Sequence, residues 1–167
     1  MMNHSLRKTG ETELYYLCRV GLTASVVRKL SMRSFDVEGI TCSETCLMVA
    51  CRYGHLDICR LLIEKGANVD ARELTGMTSL HFAIKYIEIV RLLCDNGADI
   101  NARGTFELTA LSMAAYDGRL DVVQELVERD ADINAKSTDG WTALTSAREN
   151  GKADVDAYLV AHGGLLG

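Results

Sequence analysis

An all-α solenoid of stacked helical hairpins is the fold class this sequence predicts, on three observations. A Thr-x-Leu pair recurs at Thr12/Leu14, Thr45/Leu47, Thr78/Leu80, Thr109/Leu111 and Thr142/Leu144, with successive Thr spacings of 33, 33, 31 and 33 residues. A period of that size marks one supersecondary unit repeated. Within the clearest unit, two short apolar runs follow helical spacing, and Gly54 and Gly66 stand where a left-handed residue would end each helix. There is no proline at all, which excludes a Pro-rich hinge between separate domains. A hairpin this small cannot bury its own apolar side, so stacked neighbours must shield it.

Bulk properties bound the function. With 167 residues, 48% of them hydrophobic, the chain has the size of one ordinary domain with a core. A net charge of −5 argues against a nucleic-acid partner, which calls for a basic stripe to displace counterions. The charge is uneven: residues 1–33 carry six Lys/Arg against two Glu, a balance of +4, leaving −9 on the rest. That pattern reads as a basic cap beside an acidic body, with an anion-binding end as the sharper alternative. No apolar run approaches the roughly 20 residues of a membrane span, and Met1 to Lys8 lacks the core of a secretory signal. We therefore expect no membrane partner, a cytoplasmic location with the nucleus also open, and six cysteines kept as thiols.

Residues 1–8 are expected to be a flexible N-terminus, followed by one repeat domain over 9–164 and a frayed tail over 165–167. The units fall at about 9–38, 39–73, 74–103, 104–136 and 137–164. The first is the most divergent: Leu14, Leu17, Val26, Val27 and Leu30 keep the pattern, its second stop falls on Ser34, and Asp36-Val37-Glu38 mimics the later loops. In the second, Leu47 to Cys51 and Leu56 to Leu62 form the hairpin, Ala67 to Ala71 reads as extended, and Thr75-Gly76 turns. The third lacks the two residues where Gly54-His55 would fall, so its first helix is shortened or its turn tightened. The fourth puts Asp130 where its second helix calls for Gly, at about 1 kcal/mol. The fifth mixes Lys152, Asp154, Asp156, Tyr158 and His162 into its helical positions, as suits a C-terminal cap.

Thr78-Ser79-Leu80-His81-Phe82-Ala83, Gly54-His55-Leu56-Asp57-Ile58, Gly66-Ala67-Asn68-Val69-Asp70-Ala71 and Gly97-Ala98-Asp99-Ile100-Asn101-Ala102 closely resemble the ankyrin repeat. The resemblance spans about 150 residues and implies helix-turn-helix units with projecting loops or β-hairpin fingers. It departs from the family in having no Pro after the motif Thr; Glu13, Cys46, Ser79, Ala110 and Ala143 stand there instead. Proline's preset φ favours helix entry, so these units should be less stable than consensus ones. The resemblance gives His81 an architectural role, hydrogen-bonding loop backbone. It also places Asn101 and Asn134, each in Asp-Ile-Asn, in the context of asparagines modified by a hydroxylase, although the same residues serve the loop turn.

In that family partners bind the concave wall made by loop tips and first helices. Carried over by register, this gives Arg52, Tyr53, Leu74, Met77, Lys85, Tyr86, Phe106, Leu108, Tyr116, Asp117, Trp141 and Arg148 as protein-binding residues. Met77, Leu108 and Trp141 hold one position in successive units, so stacking should align them, with Tyr53, Tyr86, Phe106 and Tyr116 beside the row. Aromatic anchors with arginine neighbours are the usual composition of a binding hot spot. The structural alternative is that these side chains pack on adjacent loops within the array.

Catalytic and metal chemistry are weaker readings. Cys42, Cys46, Cys51, His55 and Cys59 are crowded, but no Cys-x-x-Cys pair is present and Gly54 breaks the helix between Cys51 and His55. Buried thiols acting as small hydrophobes fit better than zinc, with Cys42 and Cys46 nearer an exposed loop and readier to oxidise. A Cys51–His55 nucleophile–base pair lacks an orienting group and an oxyanion site. Acids are scattered rather than paired, and the glycines follow the repeat rather than a phosphate loop. The expectation is a non-enzymatic interaction module without cofactor or metal, monomeric by itself, acting as adaptor, inhibitor or effector on another protein. Two alternatives stay open: a regulator like the small inhibitors of cyclin-dependent kinases, which shorten an early repeat rather than the third, and an enzyme built on this scaffold.

Overall fold

Five helical hairpins follow one another through residues 13–31 and 44–167, the residues that the computed structural model describes. The segment 1–8, the stop at Ser34, the loop at 36–38 and Cys42 lie outside the described residues. The hairpins pair α1 (Glu13–Val20) with α2 (Thr23–Leu30), α3 (Cys46–Arg52) with α4 (Leu56–Glu64), and α5 (Ser79–Ala83) with α6 (Ile87–Asp95). They continue with α7 (Ala110–Asp117) and α8 (Leu120–Glu128), then α9 (Ala143–Glu149) and α10 (Ala153–Ala161). No continuous β-strand occurs among the described residues.

The motif threonines explain where the first helices begin. Thr45, Thr109 and Thr142 each accept the N–H three residues on, from Met48, Ser112 and Thr145, at 3.2 Å. Each bond satisfies a donor that the first turn leaves without an intrahelical partner. The motif leucines Leu14, Leu47, Leu80, Leu111 and Leu144 are all buried, as are Ile58, Leu62, Ile89, Leu93, Val122, Leu126, Val155 and Leu159 of the second helices. First helices pack on first helices of the next unit, and second on second, so one core runs through the stack.

The two-residue deletion has both predicted effects. Helix α5 has only five residues, and the Tyr86 N–H closes a tight turn on the Ala83 carbonyl at 2.8 Å. The ring of Tyr86 lies on Gly54: a Cβ built at Gly54 would sit 2.5 Å from Cε1 and Cζ of that ring. One unit earlier the His55 ring lies over Gly21, and Lys152 lies over Gly118. The residue that starts each of these second helices therefore covers the glycine ending the first helix before it. At the fourth unit no such glycine is offered, and Arg119 instead donates to the Lys85 carbonyl. Asp130 takes the left-handed geometry expected of it, at φ +64°.

The loops are also laced together. Asp70, Asn101 and Asn134 each accept, through a side-chain oxygen, the backbone N–H of Asp99, Asp132 and Leu165, at 2.8, 2.7 and 2.7 Å. Arg72 donates to the Arg103 carbonyl at 2.9 Å, and Arg103 to the Lys136 carbonyl at 2.8 Å.

Three sequence expectations are corrected. The stretch 67–71 is a turn rather than extended, because the Asn68 side chain accepts the Asp70 N–H at 3.0 Å and Ala71 donates to the Asn68 carbonyl. Cys46 is fully buried rather than near an exposed loop. The last residues are fastened instead of frayed: Thr142 donates to the Leu165 carbonyl at 2.6 Å and Gly167 to Thr145 at 3.1 Å. Asn134 holds both Leu165 and Gly163.

Candidate functional site

Three loops project from the described array, each closed by one backbone bond: Glu73 to Met77 at 3.0 Å, Gly104 to Leu108 at 2.9 Å, and Ser137 to Trp141 at 2.9 Å. Met77, Leu108 and Trp141 thus occupy equivalent places. In the first and third loops a glycine supplies the positive φ, Gly76 at +84° and Gly140 at +83°. The middle loop has no glycine there, and Phe106 and Glu107 adopt φ of +56° and +59°. Left-handed geometry costs a residue with a Cβ about 1–2 kcal/mol, so neighbouring contacts have to hold it. The Thr138 N–H donates to the Phe106 carbonyl at 2.9 Å, and the Thr105 hydroxyl to that of Thr75 at 2.6 Å. His81 fixes the far end: its Nε2 lies 3.2 Å from the Leu108 carbonyl while Nδ1 accepts the Thr78 N–H at 3.1 Å. Burial holds the His81 imidazole below its ordinary pKa, against the opposing pull of backbone hydrogen bonds to Leu108 and Ala102.

This strained loop, the last loop and α7 enclose a groove of about 480 Å³. Five of the sequence-predicted residues come together in it: Phe106, Leu108, Tyr116, Asp117 and Trp141. Phe106 is 66% exposed, Tyr116 54% and Trp141 42%, so three large rings line the groove with much of their surface in water. Large apolar surface left open in one place marks a candidate binding site. Ile84, Met113, Ser112, Ser137, Asp139 and Ser146 complete the lining. Sequence reasoning passed over Ile84 and Met113. Met113 had a signal, since Val49 and Phe82 put an apolar side chain at the same offset from their threonines. Ile84 had little, because the matching Cys51 and Ala115 read as core.

The remaining predicted residues lie elsewhere. Met77 packs on the next loop, where a Cβ at Gly104 would meet its Cγ at 2.8 Å. Leu74 is an exposed loop tip. Arg52 stacks over the Phe82 ring, 4.2 Å from its centroid, and pairs with Glu44. Tyr53 is exposed and stacks beside the His55 ring, while Lys85 is exposed at the shortened turn. Tyr86 is committed to the contact with Gly54. Arg148 pairs with Asp156 at 2.7 Å in the last unit.

No group of three or more His, Cys, Asp or Glu among the described residues is placed to hold a metal ion. Cys18, Cys46, Cys51 and Cys59 are all buried, with Cys51 and Cys59 sulfurs 3.7 Å apart. The hydrogen bond to Cys46 and then burial push the Cys18 thiol far up, and burial does the same at Cys51. Thiols held neutral in this way are packing groups rather than nucleophiles. Among the described residues no helix is long and apolar enough to cross a membrane.

Comparison with known families decides the classification. Residues 14–104 match a family model for three copies of the ankyrin repeat, and residues 95–147 a second ankyrin-repeat model. The chain belongs to the ankyrin-repeat family. Relatives match over short stretches: 49% identity over 41 residues with the apicidin F cluster transcription factor apf2 of Gibberella fujikuroi, and 51% over 37 with a protein fem-1 homolog A-like of Mus musculus. The NF-kappa-B inhibitor cactus of Drosophila yakuba is 40% identical over 57 residues. Those stretches cover 25%, 22% and 34% of this chain but only 10%, 6% and 10% of the relatives. The chain therefore spans only a small part of the length of each relative it matches. Ankyrin repeats serve as protein-interaction modules, and the all-helical stack has the architecture of that family.

Proposed function

We propose that this ankyrin array binds another protein non-covalently, as an adaptor or inhibitor, with the groove between its last two loops and α7 as the anchor site. The observation that carries this reading is the convergence of Phe106, Tyr116 and Trp141 on one open cavity. A few residues carry most of the energy at protein interfaces, and tryptophan and tyrosine are enriched among them. Leu74, Lys85 and Tyr53 extend the wall as outlying contacts. An inhibitory role accords with the cactus relative, which is named as an inhibitor.

Affinity capture from the native cell tests the proposal, comparing the parent chain with Trp141→Ala and Phe106→Ala. Each substitution should weaken capture by about 2 kcal/mol, close to thirtyfold, while the melting temperature changes little. Capture that is indifferent to both substitutions, or lost only in step with melting temperature, refutes it.

A further inference from the structure

The groove is lined by three aromatic rings and two carboxylates, Asp117 and Asp139, and by no lysine, arginine or histidine. Neither carboxylate has an ion-pair partner among the described residues, whereas Asp121, Glu125 and Asp156 are each matched to an arginine. The same wall shows elsewhere what satisfies such a combination. In the second unit Arg52 lies 4.2 Å over the Phe82 ring and pairs with Glu44, so one guanidinium bridges an aromatic face and a carboxylate. Arg52 stands seven residues after Thr45. The residue seven after Thr109 is Tyr116, so at the groove the chain's own cation is replaced by another ring.

We propose that the groove receives an arginine side chain from an extended basic segment of the partner protein. A guanidinium is planar and weakly hydrated, stays charged at all relevant pH, and can stack on a ring while its edge donates to carboxylates. Lysine offers a compact, strongly hydrated charge that cannot stack in this way. The volume of about 480 Å³ exceeds what one side chain needs and leaves room for flanking peptide. This inference rests on the groove being the binding site, and its test is separable from that reading.

Trp141 is the only tryptophan, so its indole N–H resonance reports on the groove alone. The full chain is titrated at low salt with acetyl-tetra-arginine amide, its tetra-citrulline and tetra-lysine counterparts, and acetyl-leucine amide. The arginine peptide should shift the indole signal saturably. The citrulline peptide, which keeps the shape and loses the charge, should not. An Asp117→Asn/Asp139→Asn variant that melts like the parent should bind the arginine peptide about fivefold or more weakly. No shift with the arginine peptide, equal binding of the citrulline peptide, or tighter binding of the lysine or leucine probe overturns the proposal. If native capture remains Trp141-dependent while the arginine peptide is silent, the occupant is wrong and the binding site stands. Capture independent of Trp141 removes both.

Discussion

Substituting Gly54 and Tyr86 singly and together tests whether the shortened third unit is held by one ring lying on one glycine. Tyr86 is 37% exposed, so nearly two-thirds of it is buried, and Tyr86→Ala should cost about 2 kcal/mol, below the 3–5 kcal/mol of a fully buried aromatic. Gly54 sits at φ +77°, so Gly54→Ala costs about 1–2 kcal/mol from backbone alone. The new Cβ would also stand 2.5 Å from ring carbons of Tyr86. The ring has to swing out and lose its burial, bringing the single substitution to about 3–4 kcal/mol. Once Tyr86 is alanine that clash no longer exists. The double variant should therefore lose about 3–4 kcal/mol rather than the 5–6 kcal/mol of the sum, a coupling of about 2 kcal/mol. Urea denaturation followed by far-UV circular dichroism measures all four corners, and Tyr86→Phe should behave like the parent. Additive losses, agreeing within about 0.5 kcal/mol, refute the claim that the two residues share one contact.

Two further outcomes follow from the strained loop and its tether. Glu107→Gly relieves a left-handed residue but gives up unfolded-state restriction and an exposed ion pair with Arg103 at 3.7 Å, so it should stabilise by about 0.5 kcal/mol in the same denaturation assay; a net destabilisation contradicts the strain. His81 is held below its ordinary pKa by burial, so the unfolded chain takes up the proton first. Its contribution is complete above the unfolded pKa of about 6.5 and is lost as pH falls from there towards the folded value. Stability measured between pH 7.5 and 5 should fall more steeply for the parent than for His81→Gln, and parallel slopes would count against a buried neutral imidazole.

The repeat, its helix stops and the burial of its leucines were readable because they depend on local spacing. The Thr-x-Leu period places the threonine caps, and Gly54 or Asp130 marks a stop by backbone preference alone. The groove was half readable: register put Phe106, Leu108, Tyr116, Asp117 and Trp141 on one wall, and the structure gathers them. The same register put Tyr86 on that wall, yet its ring turns to Gly54, because the deletion brings it to the place His55 holds one unit earlier. Met77 was also taken from the wall, by an adjacent loop that approaches closely at Gly104. Nothing in Thr105-Phe106-Glu107 announces two left-handed residues, since contacts from Thr138 and Thr75 in other units impose them. Cys46 looked close to a loop because it follows one in sequence, but the helix it begins points it into the stack.

The side chains that stitch the loops together bear on how the protein ages. Spontaneous hydrolysis converts an asparagine carboxamide to a carboxylate, and at Asn101 the atom used by the neighbouring N–H is the oxygen that survives. Asp70 already does the same work at the preceding junction, so that lesion leaves the stitch in place. At Asn134 the outcome is harsher, because the nitrogen that would be lost is the donor gripping the Gly163 carbonyl.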